Sequence, residues 1–264
     1  MSLEKLEKQT LYQEEEEVPW TIQQTFLVIL ITMIVRVLLS LLLSGGNSSQ
    51  PLPTLSPMVD AANALITFIL TSVVQSVFLV GPLYFASRPF GAIRRHLRMT
   101  LNILGFRRFK IWSSLAWVVI SFVGVLLINY LYQYLITTFH LKLMTNDQVY
   151  FEMSKHAPIT IYTVLFISVF MAPICEELFF RSFVFMGLLK VMPLGVAIVF
   201  SALIFAVAHG DVGSFFVLFF IGLALAFLRW RTRSIWPGIL LHLLNNFVAS
   251  LTIILPMLGL ISRP

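Results

Sequence analysis

Long apolar runs alternate with short polar segments along this chain. Runs from about Ile22 to Leu43, Val59 to Phe85 and Ile111 to Thr137 are each long enough for a helix to cross a bilayer. From Ile159 apolar character continues for over thirty residues, too long for one simple span, and Pro173 predicts a kink within it. Met192-Pro193 reads as a turn, followed by a returning helix from Leu194 to His209. A break at 210–214, a helix over 215–230 and a last helix beginning near Pro237 and reaching about Leu258 complete the pattern. The expected class is all-α: a polytopic membrane protein of about seven to eight transmembrane helices, with its chemistry in the C-terminal half.

Polar segments set the organisation and the orientation. Residues 1–19 read as a flexible acidic cytoplasmic tail, residues 20–138 as an N-terminal transmembrane region, and residues 159–258 as a second transmembrane region, the candidate core for the chemistry below. The connector 88–110 holds seven Lys or Arg, whereas the 45–57 loop holds none. By the positive-inside rule the connector and the N-terminus lie in the cytoplasm and the 45–57 and 139–158 loops outside.

Composition agrees with this class: of 264 residues, 58% are hydrophobic and 11% charged. The net charge of +6 accompanies basic loops beside apolar runs, which fits contact with the lipid bilayer and argues against a nucleic-acid partner. The single cysteine, Cys175, excludes an internal disulfide framework and a cysteine-based zinc site.

Against that apolar background a few groups stand out. Glu176 and Glu177 are adjacent in the long run, where ionisable groups by default mark function. Glu177 and Arg181 share a helix face at i,i+4, whereas Glu176 is turned roughly 100° away. Arg181 can therefore neutralise Glu177 and leave Glu176 free. Phe205 precedes His209 by one helical turn, and His242 and Asn246 are likewise one turn apart. Asn245 can replace Asn246 on spacing alone.

A Glu with a His can hold and deprotonate a water. A second His with an Asn can donate hydrogen bonds to a developing oxyanion. The set makes a peptide hydrolase that needs no cofactor, no metal and no covalent nucleophile. Three other readings compete: buried polar ties between helices, a zinc site built from Glu176, His209 and His242, and an ion-coupled transporter. Arg36, Gln75 and Asn129 show no pattern and read as snorkelling groups or ties.

The motifs Glu-Glu-x-x-x-Arg at 176–181, Phe-x-x-x-His at 205–209 and His-x-x-x-Asn at 242–246 occur in the order seen in the CPBP family. These are the CAAX protease and bacteriocin-processing, or Abi, intramembrane proteases. The likeness covers about 159–250. It implies a glutamate-type endopeptidase in which Glu176 and His209 activate water and His242 and Asn246 form an oxyanion hole. Glu177, Arg181 and Phe205 would support them. Two positions depart from the pattern: Ser182 and Arg233 stand where the family commonly has Gly. The implied partner is a peptide or membrane-protein substrate, cleaved in a bacterial cell membrane; a metal-dependent protease, or a non-proteolytic immunity, scaffold or transport protein, is the alternative.

Overall fold

The computed structural model describes residues 18–43, 54–87, 93–141, 143 and 146–261. The Glu14–Glu17 run, Arg88 and most of the 45–57 loop lie outside the described residues. The apolar runs are helices: α1 (Ile22–Leu43), α2 (Pro57–Ser87), α3 (Ile93–Ile103), α4 (Ile111–Thr138), α5 (Asn146–Ser154), α6 (Pro158–Phe170) and α7 (Ala172–Glu177). A π-helical turn (Leu178–Val184) leads into α8 (Phe185–Leu189), followed by α9 (Leu194–Ala208), α10 (Phe215–Thr232) and α11 (Trp236–Met257). With Pro158–Leu189 counted as one kinked helix, six helices among the described residues are long and apolar enough to cross a membrane, and α9 is a shorter apolar one. The protein is an all-α, multi-pass membrane protein.

Two helices sit where the sequence predicts only connectors. In α3, Ile93, Leu97 and Leu101 recur every fourth position, a helical stripe masked by surrounding basic residues. The polar α5 packs on α6 and α11. The long run breaks at Met171, since Pro173 falls in the first turn of α7 and cannot donate to the ladder of α6. The π turn that follows leaves no mark in the sequence. The two departures from the family pattern have different consequences. Ser182 donates its hydroxyl to the Leu104 carbonyl. Arg233 ends α10 at φ 55°, the left-handed conformation that favours the glycine common there.

The two ends of the bundle differ. At the basic end, Trp20 donates its indole N–H to the Phe183 carbonyl (3.2 Å) and Lys190 donates to the carbonyls of Val18 and Trp20. There the backbone N–H of Ile235 meets the Gly105 carbonyl (2.9 Å) and the Ser234 hydroxyl meets the Arg107 carbonyl. Ser182, not Lys190, is thus level with 104–107. The chain beyond Ser182 projects about 12 Å past that level at ~1.5 Å per residue. This is the protrusion needed for Glu176, half-way along its hairpin, to stand level with His242 near the start of α11.

At the other end Asp60 does the work of a missing helix cap. The first turn of α6 has no capping side chain of its own, because Ala157 occupies the cap position. Asp60, from α2, accepts the N–H groups of Ile159 (2.7 Å) and Thr160 (3.0 Å) and the Thr160 hydroxyl (2.6 Å). Asp60→Ala is expected to cost ~1–2 kcal/mol, because it strands two N–H donors in the part-buried first turn of α6. Thermal unfolding in detergent checks this; a variant that melts with the wild type removes the capping role.

Candidate functional site

A cavity of about 360 Å³ occupies the bundle interior, and its wall includes Glu176, His209, His242 and Asn246. Glu177 and Arg181 lie behind this wall, both wholly buried, with Arg181 Nε 3.4 Å from Glu177 Oε2. Arg181 also reaches the Gly222 carbonyl (3.5 Å), and its guanidinium lies 4.3 Å over the Phe205 ring. Glu177 is reached closely because residue 238 is Gly: a Cβ there would stand 3.1 Å from Glu177 Oε2.

Glu176 is held differently. Its Oε1 accepts from Gln75 Nε2 at 3.4 Å. Its Oε2 is buried without a hydrogen bond and faces His209 Nε2 at 3.5 Å and His242 Nε2 at 3.8 Å. The other nitrogen of each ring fixes the proton positions. His209 Nδ1 lies 2.7 Å from the Phe205 carbonyl, which can only accept, so Nδ1 carries the hydrogen. His242 Nδ1 lies 3.1 Å from Glu177 Oε1, a carboxylate paired with Arg181, and donates there too. Both histidines therefore turn Nε2 towards one oxygen of Glu176. Three acceptors around one point can hold a proton, or a water's protons, between them. Phe205 fixes the spacing, its ring 4.5 Å from His209 and 5.7 Å from His242.

Asn246 donates to the Ser168 carbonyl (2.9 Å) and its Oδ1 accepts from Asn245 (3.3 Å). Both amides line the cavity, so the structure brings in the two alternatives together. Cys175 points away from the cavity into the apolar core and is buried. Among the described residues, no three His, Cys, Asp or Glu side chains form a group suited to a metal ion.

Three residues read from the sequence as snorkelling groups or ties also line the cavity, Arg36, Gln75 and Asn129, and Gln75 does tie two helices through Glu176. Arg36 lies 4.0 Å over the Phe78 ring and interacts electrostatically with Glu176. They come from α1, α2 and α4, so the cavity is built by both halves of the chain. Their isolation on apolar helices was the one available signal, since an intramembrane polar group faces protein or water rather than lipid.

Residues 158–248 match the family of Rce1-like type II CAAX prenyl endopeptidases. A protein named as a candidate membrane peptidase, YdiL of Bacillus subtilis (strain 168), is 30% identical over 101 residues. That match covers 38% of this chain and 40% of that protein's own length. No solved structure matches the chain. The two matches bear out the resemblance to the CPBP family and support a membrane protease.

Proposed function

We propose that the protein is an intramembrane endopeptidase of the CPBP type. It hydrolyses a peptide bond of a membrane-associated protein or peptide with a water activated by Glu176 and His209. The observation that carries this reading is the convergence of both histidine Nε2 atoms on Glu176 Oε2 inside a polar-walled cavity. A water at that point gives one proton to the Glu176–His209 pair as its oxygen attacks the carbonyl carbon. The same pair then delivers the proton to the leaving amine. A carbonyl oxygen turned towards His242 and Asn246 develops negative charge near two donors. His242 donates to that oxygen from Nε2 in the form that carries hydrogen on both ring nitrogens, with Glu177 Oε1 holding Nδ1 at 3.1 Å. Glu177 is thus a positioning residue, with Arg181 balancing its charge.

The chain sits in this reading in a bacterial cell membrane with its N-terminus and basic end in the cytoplasm. Comparative peptidomics of cells carrying the wild type or Glu176→Ala tests the activity. Peptides or shortened membrane proteins that disappear only in the variant are expected. Identical peptide pools, with both proteins present in the membrane at equal amounts, reject the protease.

A further inference from the structure

The cavity has a floor at one end and a mouth at the other. Its wall runs from Glu176 and His242 to Gln133 on the last turns of α4, Asp147 and Tyr150 on α5, and Asp211 and Ser214 in the break after α9. Those elements stand at the end where Leu55 bonds His156 and Asp60 caps α6; the Tyr132 hydroxyl ties α4 to the break through the Gly213 carbonyl. Among the described lining residues, none comes from 93–128, 177–204 or 222–241, the segments that build the basic end.

The reason is packing. Between Glu177 and the basic end the interior is filled by Trp20, Leu104, Phe183, Leu228, Ile235 and Leu241, each at most 1% exposed. The indole of Trp20 packs against Phe183 with ring centroids 4.8 Å apart. A close-packed core of this kind leaves no path for a peptide. Although Glu176 and His242 lie nearer the basic end by helix position, the described residues that line the cavity extend from them away from that end.

Given the protease reading, we infer that substrate reaches Glu176 from the face opposite the basic end. With the basic end in the cytoplasm, the substrate is an extended peptide segment presented at the outer face of the membrane. A cytosolic protein tail would have to cross the Trp20–Leu104–Phe183 floor. An extended chain suits the route, since its backbone finds hydrogen-bonding partners in the Gln133, Asn129 and Gln75 amides along the wall.

Single-cysteine variants in a Cys175→Ser background test this without any substrate. Gln133→Cys at the mouth and Val164→Cys deeper in the wall are treated with a membrane-impermeant maleimide in intact cells. Arg108→Cys marks the basic end and Thr54→Cys the other. Labelling of Gln133→Cys, Val164→Cys and Thr54→Cys in intact cells is expected, with Arg108→Cys labelled only after permeabilisation. Labelling of Arg108→Cys from outside, or of the two cavity positions only from the side that Arg108→Cys reports, overturns the inference. Cavity positions that resist labelling from both sides overturn it as well. A peptide product from the peptidomics, resynthesised with its cleavage site, should be cut by right-side-out vesicles and not by inverted ones; the reverse is a second refutation. Absence of any cleaved peptide sinks the protease alone, and the labelling still decides the direction of access.

Discussion

Arg181→Ala is expected to lower folded stability by ~3–5 kcal/mol, the usual result of breaking a buried ion pair from one side. Glu177 would keep only His242 Nδ1, at 3.1 Å, and its second oxygen already lies without a hydrogen bond beyond the Arg181 contact. The guanidinium also fills space over Phe205 and reaches the Gly222 carbonyl, where α10 packs closely on α9. Truncation therefore leaves a void beneath the ring that spaces the two histidines. Glu176→Gln should be far milder in stability, because the amide keeps the shape and faces a polar cavity. Thermal unfolding of both variants in detergent separates them. If Glu176→Gln is the less stable, the two carboxylates have been given each other's roles.

That assignment was legible in the sequence because it rests on helical spacing alone. Glu177 and Arg181 remain paired even though a π turn follows Glu177, since one side chain of each can still meet across the widened turn. The apolar runs likewise fixed the helices to within a few residues, because lipid leaves a helix no alternative for its backbone bonds. What the sequence could not carry was lateral placement. Gln75 is the clearest case: nothing near it in sequence marks it as a partner of Glu176, 101 positions away. Arg36 is similar, since its nearest ring is Phe78 on another helix. The short helices α3 and α5 were hidden for a different reason: their polar composition resembles loops, and packing against neighbours is what orders them. The direction of access inferred above also had no sequence signal, and rests on which end of the bundle close-packed side chains fill.

Glu176→Gln should abolish hydrolysis while the folded protein persists, with a loss of ~10²–10⁴ in rate for removal of a general base. His209→Ala should fall in the same range. The two losses should not add, because in the proposed mechanism these residues, 3.5 Å apart, handle one proton together. His242→Ala and Asn246→Ala remove the two proposed oxyanion donors, and each should cost ~10²–10³ in kcat if that reading holds. Asn246→Ala carries the gentler expectation, since Asn245 stands beside it on the cavity wall and can turn its amide inward once the Asn245–Asn246 bond is gone. Gln75→Met should also slow turnover with little change in KM: losing the bond to Oε1 frees the carboxylate to rotate away from the two histidines. Two competing chemistries make opposite forecasts for the same purified protein and a cleaved peptide. A zinc enzyme loses activity to chelators and regains it with added zinc. A thiol enzyme fails in Cys175→Ser, but that sulfur lies in the apolar core rather than on the cavity wall. Activity that survives both treatments and vanishes in Glu176→Gln is the expected result. Zinc-restorable activity would instead make Glu176, His209 and His242 ligands, and the Nε2 atoms now turned to one carboxylate oxygen would be turned to a metal.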